Sequence, residues 1–308
     1  MLLEVENLRI AFHRDGREIV PVRDVTFSVP EHGRVALVGE SGCGKSLSAL
    51  SLAGLPPTDR AHVTGRIAFR GARMAYVFQN PAESLNPVMR IAEQIREALP
   101  HGMSRKAQDS RIEELLSRTG LPDAKRAAHA FPCELSGGQQ QRCMIAMALA
   151  AQPDLLVADE PTTALDVTTQ KQVLELIDSL AAETGMAVLL ITHNLGLVAG
   201  RMDDVNVMYA GRIVESGPVE EVLASPRHPY TRGLLAAVPA LDAPRDAPLA
   251  DIPGTVPPPD RWPDGCAFAP RCPMAVDECR RGVPPEVAIG RRRFACAVEA
   301  ANCRPGVA

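Results

Sequence analysis

A glycine-rich segment that ends in lysine and serine carries the strongest chemical signal in this chain. Residues 39–46 have the sequence GESGCGKS, which fits the pattern G-x-x-x-x-G-K-S/T. The segment directly follows the apolar run Arg34–Val38 and precedes a helical pattern, which is the context that a phosphate-binding loop requires. Main-chain N–H groups of such a loop attract phosphate oxygens, Lys45 would reach the β- and γ-phosphates, and Ser46 would ligate Mg²⁺. The predicted nucleotide-binding residues are Gly39, Ser41, Gly42, Cys43, Gly44, Lys45, Ser46 and Leu47, with no separate role for Cys43.

Two acidic residues follow a second buried strand and would complete a hydrolytic site. The run Leu155–Ala158 is wholly apolar and leads into Asp159 and Glu160. At the strand end, Asp159 suits the Mg²⁺ shell, usually through water, and Glu160 suits polarisation of the attacking water. Acids at a strand end are often merely solvated, but their position after a phosphate loop favours the catalytic interpretation.

The segment LSGGQ at residues 135–139 predicts a second anion-binding helix start. A serine hydroxyl and glycine N–H groups would open the helix Gln140–Ala151. The segment resembles the signature sequence of ATP-binding cassette (ABC) ATPases, and the resemblance covers the whole cassette; a simple helix cap is the alternative. The family implies a head-to-tail pair, in which the signature of one subunit closes over ATP bound to the phosphate loop of the other. The residues implied to act across the pair are Ser136, Gly137, Gly138, Gln139 and, in a loop at the interface, Asp166.

Further positions match the same family. The resemblance implies that Gln79 senses Mg²⁺ and the attacking water and links to membrane subunits, and that His193 contacts the γ-phosphate. Phe12 is a candidate for stacking on adenine, although it could equally be a core residue. The catalytic residues implied are therefore Glu160, His193, Gln79 and Lys45.

Three features resemble the peptide and nickel import group of that family. They are the segment QNPAESLNP at 79–87, the segment SPRHPYT at 225–231 and a cysteine pattern in the tail. The resemblance implies import of short peptides, with nickel or another small solute as the alternative. It also implies a second, related ATPase subunit, two transmembrane permease subunits and an extracytoplasmic peptide-binding protein. The chain departs from its relatives in the short segment between Lys45 and Gln79, where they usually carry a longer loop.

Four tail cysteines are candidate metal ligands. Cys266, Cys272, Cys279 and Cys296 lack the close C-x₂₋₄-C pair that zinc knuckles favour. The family resemblance favours a 4Fe–4S cluster over zinc. Reduced thiols that merely pack a small subdomain are the remaining alternative. Cys303 is a spare ligand.

The elements that must position these residues form an α/β pattern. Short apolar runs alternate with helical patterns up to about residue 224, which predicts a mainly parallel sheet. With the resemblance, the fold class is a P-loop NTPase ABC cassette at 1–224, with an antiparallel β-subdomain near the N-terminus and a helical subdomain at about 88–151. Residues 225–308 form a small cysteine-bearing extension, which contains a proline-rich connector at 239–263.

The composition narrows the function classes. The chain has 308 residues, 46% of them hydrophobic, and a net charge of −4, which argues against binding to a nucleic-acid backbone. The charged start disfavours a signal peptide, and no apolar run approaches the roughly 20 residues of a membrane span. We therefore expect a cytosolic protein at the inner face of a membrane. The rivals are a soluble ABC machine acting on nucleic acid, a redox sensor with a vestigial cassette, and an exporter subunit.

Overall fold

The computed structural model describes residues 1–14, 16–55, 58, 60–163, 165–238 and 251–303. The strands within these ranges are β1 (Leu3–Arg14), β2 (Arg17–Val29), β3 (Arg34–Val38), β4 (Ala61–Phe69), β5 (Met74–Val77), β6 (Leu155–Asp159), β7 (Ala187–Thr192), β8 (Asp204–Tyr209), β9 (Arg212–Pro218), β10 (Val287–Ile289) and β11 (Arg292–Phe294). The α-helices are α1 (Lys45–Leu52), α2 (Pro81–Ser84), α3 (Ile91–Ala98), α4 (Arg105–Arg118), α5 (Ala124–His129), α6 (Gly137–Ala150), α7 (Val167–Thr184), α8 (Val219–Ala224), α9 (Pro229–Ala236), α10 (Glu278–Arg281) and α11 (Ala297–Asn302).

The main sheet holds the predicted parallel core. Its strand order is β10-β11-β9-β8-β3-β7-β6-β5, and the five strands from β8 to β5 run parallel. Every residue of β6 and β7 is buried, as their unbroken apolar sequences predict for strands covered on both faces. The expected α/β fold is confirmed.

The two faces of this sheet pack against different layers. Along β3, Ala36 and Val38 point into a core shared with the helices, whereas Val35 and Leu37 point into a core shared with β1, β2 and α1. This alternation is the period of two that a strand imposes on its side chains. The loop that follows β3 is thus supported from both sides.

A smaller antiparallel sheet lies near the N-terminus, as predicted. Its order is β2-β1-β4, and β4 pairs with β1 from Leu3↔Phe69 to Phe12↔Ala61. The short segment between α1 and β5 forms β4, which lies mostly exposed at the sheet edge. The short segment between Lys45 and Gln79 therefore contributes a strand to this sheet.

The region predicted to be helical contains α3, α4, α5 and α6 in the described residues. Their buried apolar side chains, such as Ile95, Leu115 and Ile145, belong to the same core as β5 and β6. None of the helices in the described ranges combines the length and the apolar character that a membrane span needs. The predicted domain limits at residues 88, 151 and 224 stay predictions.

The C-terminal part of the chain joins the main sheet. Strand β11 pairs with β9 through Arg293↔Ser216 and Phe294↔Glu215, and β10 pairs with β11. Of the predicted connector at 239–263, residues 239–250 lie outside the described part, and residues 251–263 contain turns but neither helix nor strand. The extension is therefore continuous with the nucleotide-binding sheet.

Candidate nucleotide site

The loop after β3 has a shape that only glycine permits at two positions. A Cβ atom on Gly39 would lie 2.1 Å from the carbonyl oxygen of Met208. Gly44 has a φ of +103°, caps the N-terminus of α1, and has backbone and side-chain atoms within 3.0 Å of any added Cβ. The glycines thus allow the loop to lie directly against β8 before α1 begins.

Lys45, the first residue of α1, is buried beneath this loop. Its Nζ donates to the carbonyl oxygens of Gly39 at 2.7 Å and Glu40 at 3.1 Å. It also lies 3.7 Å from Oε1 of Glu160. The ammonium group is therefore held between the loop and the acid at the end of β6, which is where a γ-phosphate must approach both.

Asp159 forms an oxygen-rich pair with Ser46. The Ser46 hydroxyl donates to Oδ1 at 3.2 Å, and the Tyr76 hydroxyl donates to Oδ2 at 2.7 Å. Burial raises the pKa of Asp159, while the two hydrogen bonds oppose that shift. A serine hydroxyl and a carboxylate are hard oxygen ligands, so this pair fits the requirements of Mg²⁺.

The Glu160 carboxylate collects the polar residues predicted to act on water. Its Oε2 accepts hydrogen bonds from Gln79 Nε2 at 3.1 Å and from the Thr163 hydroxyl at 3.0 Å, and it lies 3.2 Å from His193 Nδ1. Glu160 has a φ of +45°, a left-handed conformation that residues with side chains rarely adopt and that is often found at functional sites. Because β5, β6 and β7 are neighbours, their ends bring Gln79, Glu160 and His193 together.

The signature residues lie apart from this group. Ser136 and Gly137 are exposed, and Ser136 forms a capping box with Gln139 at the start of α6, with contacts of 3.4 and 3.0 Å. A Cβ on Gly138 would lie 2.9 Å from Thr169 Cγ2, so α6 and α7 meet here. Within one chain these residues make local contacts and leave an open helix start.

Two other predicted residues also make local contacts. Asp166 caps α7, and its hydrogen bonds with Thr169, first from the side chain and then from the main chain, lower the pKa of Asp166. Phe12 is half-buried at the end of β1, between Ile19 and Ala61, and packs against the core of the antiparallel sheet. The position of Phe12 suits a core residue and leaves its ring partly exposed.

The sequence analysis missed three residues that contact the site. The Tyr76 hydroxyl donates a hydrogen bond to Asp159, and the Thr163 hydroxyl donates one to Glu160. The Glu40 carbonyl oxygen accepts a hydrogen bond from Lys45. A tyrosine in an otherwise apolar strand before Gln79 was an available signal for Tyr76. Glu40 occupies one of the variable positions of the loop pattern, so the pattern gave no reason to select it.

Comparisons with known proteins agree with this geometry. A family model described as ABC transporter matches residues 22–163, and one described as oligopeptide/dipeptide transporter, C-terminal region, matches residues 214–279. A protein of Brucella ovis named as a peptide import ATP-binding protein is 48% identical over 317 residues, with 94% of each chain covered. The chain belongs to the ATP-binding subunits of ABC transporters.

Other members of the family give the same result. A Brucella abortus protein with a peptide import ATP-binding name is 45% identical over 313 residues, covering 96% of this chain and 94% of its own. The solved dimer of the ATP-binding cassette MJ0796, bound to ADP and Pi in a post-hydrolysis state, is 25% identical. It covers 70% of this chain and 98% of its own, with a TM-score of 0.61. As an ABC ATPase, this chain uses ATP and Mg²⁺, which the phosphate loop and the Ser46–Asp159 pair fit.

The tail cysteines of this ABC subunit are not arranged as a metal site in the residues that the structure describes. In the described residues, no group of three or more His, Cys, Asp or Glu side chains is arranged to hold a metal ion. Burial raises the pKa of the Cys266 thiol to about 11 and also raises those of Cys272 and Cys296, with further raising by the nearby Cys279. In the described part of the chain, the arrangement of the four predicted ligands does not fit a 4Fe–4S cluster.

Proposed function

We propose that this chain hydrolyses ATP to power the import of short peptides through an ABC transporter. The observation that carries the hydrolytic part is the Glu160 carboxylate, which contacts Gln79 and His193 and lies 3.7 Å from Lys45 Nζ. The peptide part rests on the matching C-terminal region and on relatives that carry peptide import names.

The residues divide the work as follows. Lys45 stabilises charge on the transferred phosphoryl group, and Ser46 and Asp159 orient the metal-bound side of the nucleotide. Ser46 and Asp159 would hold Mg²⁺, which would neutralise negative charge on the phosphates when bound. Glu160 accepts a proton from the attacking water, while Gln79 and His193 hold that water in line with the phosphorus.

The active unit is a head-to-tail pair of cassettes. Ser136 to Gln139 of one subunit would supply N–H groups and a hydroxyl to ATP on the facing loop, and Asp166 would contribute at the interface. Exposure of Ser136 and Gly137 supports this arrangement. We further propose that the second subunit is a related chain. Two permease subunits and an extracytoplasmic peptide-binding protein would complete the transporter, with this chain on the cytoplasmic face.

Replacement of the base tests the function directly. Glu160→Gln keeps the side-chain shape, so we expect ATP binding to persist while turnover falls at least about 100-fold. Uptake of a labelled peptide by the assembled transporter should fall in parallel. Glu175→Gln is the matched control, since Glu175 is exposed on α7 and pairs with Lys171. Near-normal turnover of Glu160→Gln would show that Glu160 is not the general base. ATP-driven uptake of nickel but not of peptide would show that the transported solute is nickel.

The 4Fe–4S cluster predicted for the tail has a separate test. Besides burial, Cys279 and Cys296 both help to raise the pKa of Cys266, which indicates that the three thiols lie near one another, but the described arrangement does not fit the cluster. Anaerobic purification followed by iron and zinc determination decides the point. About four irons per chain would establish the cluster, and metal-free, fully active protein would remove it.

A further inference from the structure

Arg271, which lies between two of the tail cysteines, reaches into the nucleotide site. It ends a short 3₁₀ turn, Ala269–Arg271, and its side chain is buried. Its Nη1 and Nη2 donate to the two carboxylate oxygens of Glu40 at 2.6 and 3.0 Å. This is the two-pronged geometry in which a guanidinium group binds a carboxylate most strongly.

Every N–H group of this guanidinium has a partner. Beyond Glu40, Arg271 donates to the Tyr209 hydroxyl at 3.4 Å and to the carbonyl oxygens of Pro253 at 2.8 Å and Ile252 at 2.9 Å. An arginine has five such donors, and because all five have partners here, the orientation of the guanidinium group is fixed by its surroundings. Its position therefore depends jointly on residues 252–253 of the tail and on the loop after β3.

The main chain of Glu40 is held from the same side. The Tyr230 hydroxyl accepts the Glu40 N–H at 2.7 Å. The rings of Tyr209, Tyr230 and Phe268 pack together, with centroids 4.5 to 5.4 Å apart, which fixes the place of that hydroxyl. Since the Glu40 carbonyl oxygen accepts from Lys45, a continuous path of contacts joins the tail to the residue that meets the phosphates.

Charge gives this contact a further role. Glu40 places a carboxylate in the loop that receives a polyanion, and an unpaired carboxylate there would repel it. The Glu40 side chain is only 27% exposed, so solvent screens it incompletely. Arg271 neutralises this charge through the two-pronged contact.

We propose that Arg271 is a positioning residue for the phosphate loop, through which the C-terminal segment 251–303 sets the affinity of the cassette for ATP. The effect is reciprocal by thermodynamic linkage, so bound ATP tightens the packing of the tail. This inference rests on the proposed ATPase function and does not depend on the cargo.

The test compares ATP binding and turnover in wild-type protein and Arg271 variants within the assembled transporter. For Arg271→Met we expect the Kd and KM for MgATP to rise about ten-fold, with kcat within about two-fold, because a charged pair is lost but the reacting groups remain. Arg271→Lys keeps the charge but loses the fork, and should recover part of the affinity. Hydrogen exchange of residues 251–303 should slow on ATP binding in wild type and change less in Arg271→Met.

The matched control is Arg291→Met. Arg291 also belongs to the tail and makes two hydrogen bonds to one carboxylate, that of Asp204, at 2.9 and 2.8 Å. Asp204 pairs with Val35 at the start of β3, the end opposite the phosphate loop. Arg291→Met should therefore leave the Kd for ATP unchanged.

The outcomes separate this proposal from the proposed function. Arg271→Lys serves if Arg271→Met does not fold, because it keeps the charge but loses the two-pronged contact. Glu40→Gln breaks the same pair from the loop side but also removes the carboxylate that would repel ATP. In the double variant Arg271→Met/Glu40→Gln no carboxylate is left unpaired, so its Kd for ATP should be no higher than that of Arg271→Met alone. An Arg271→Met protein whose Kd stays within two-fold of wild type overturns the proposal, and if that variant does not fold, an Arg271→Lys protein with an unchanged Kd does so. Wild-type protein that neither binds nor hydrolyses ATP would instead overturn the proposed function.

Discussion

At the scale of single residues, the site depends on how each acid is held. Asp159 is buried and would resist ionisation, but hydroxyl groups of Ser46 and Tyr76 each donate to one of its oxygens. The Tyr76 contact at 2.7 Å is the shorter of the two. It fixes the direction of the carboxylate before Mg²⁺ arrives, which lowers the cost of organising the site.

Tyr76→Phe should therefore weaken the binding of Mg²⁺, so that turnover needs a higher Mg²⁺ concentration, without removing the ability to hydrolyse ATP. A hydrogen bond to a charged group contributes about 1.5–3 kcal/mol, so we expect half-maximal ATPase activity at roughly ten-fold higher Mg²⁺. A Mg²⁺ titration at saturating ATP measures the shift. Phe78→Leu is the control, because Phe78 packs on the Tyr76 ring with centroids 4.5 Å apart and has no hydroxyl. An unchanged Mg²⁺ midpoint in Tyr76→Phe would show that the hydroxyl is dispensable.

The site residues that belong to a sequence motif could be predicted from the sequence. Those that only folding brings next to the motif residues could not. Lys45 and Ser46 were predictable because the loop and the helix start are local in the sequence. The Glu40–Arg271 pair joins residues 231 positions apart, and neither residue type distinguishes a buried pair from a solvated one. No local periodicity encodes such a contact.

At the scale of elements, wholly buried strands were the easiest to predict. The sequence of β6 is apolar up to its last residue, and the observed strand, Leu155–Asp159, agrees with the predicted run Leu155–Ala158 within one residue. The tail strand β11 has the sequence RRF, which indicates a solvated surface rather than a strand. It forms a strand because Arg292 makes an ion pair with the buried Glu215 at 2.9 Å and because β11 pairs with the edge of β9.

Helix α9 begins with an unusual cap. His228 is fully buried, and its Nδ1 accepts the N–H of Tyr230 at 3.1 Å. Burial, together with the nearby Arg232, lowers the pKa of His228 to about 3. The folded protein therefore keeps this ring neutral at pH values where the unfolded chain would protonate it.

This cap predicts a loss of stability on acidification. Below a pH of about 6.5 the unfolded chain gains a proton on His228 that the folded chain does not, so the free energy of unfolding falls as the pH falls towards 3. The loss from this residue between pH 7.5 and 5.5 is about 1.4 kcal/mol. Urea unfolding at both pH values should show that difference in wild type, relative to His228→Asn, which caps the helix without titrating.

A variant of an exposed histidine provides the comparison. His101→Asn should keep the wild-type pH dependence, since His101 lies on the surface. Should His228→Asn lose as much stability as wild type over this interval, the buried ring would not account for any of it.

At the scale of the whole molecule, the chain has two helix starts on separate elements that we propose bind phosphate groups. The loop before α1 is surrounded by the proposed catalytic side chains, whereas the start of α6 is exposed at Ser136 and Gly137 and packs on α7 at Gly138. An open N-terminal helix end carries partial positive charge and unpaired N–H groups. Pairing with a second cassette would satisfy both features at once.

Ser136→Ala tests this pairing, and Ser104→Ala controls for the loss of a cap. Both serines accept a hydrogen bond from a main-chain N–H of their own helix, at 3.4 Å for Ser136 and 3.3 Å for Ser104. Each replacement should cost about 1 kcal/mol of stability. Only Ser136→Ala should lower ATP turnover in the assembled transporter, at least two-fold if the partner is a related chain and further if it is a second copy.

Equal turnover in the two variants would mean that the α6 helix start does not touch nucleotide. The measurement uses the complete transporter, so the result does not depend on how weakly the isolated cassettes associate.

The participation of β11 in the main sheet has a consequence for how the chain can be shortened. Strand β9 pairs with β8 on one side and with β11 on the other, at Glu215 and Ser216. A chain ended before residue 285 would leave the outer rim of β9 with open donors and acceptors, and would uncover the carboxylate of Glu215. Such truncated chains would associate through the exposed edges of β9. Aggregation after C-terminal truncation would therefore reflect the loss of β11 and not a failure of the ATPase fold.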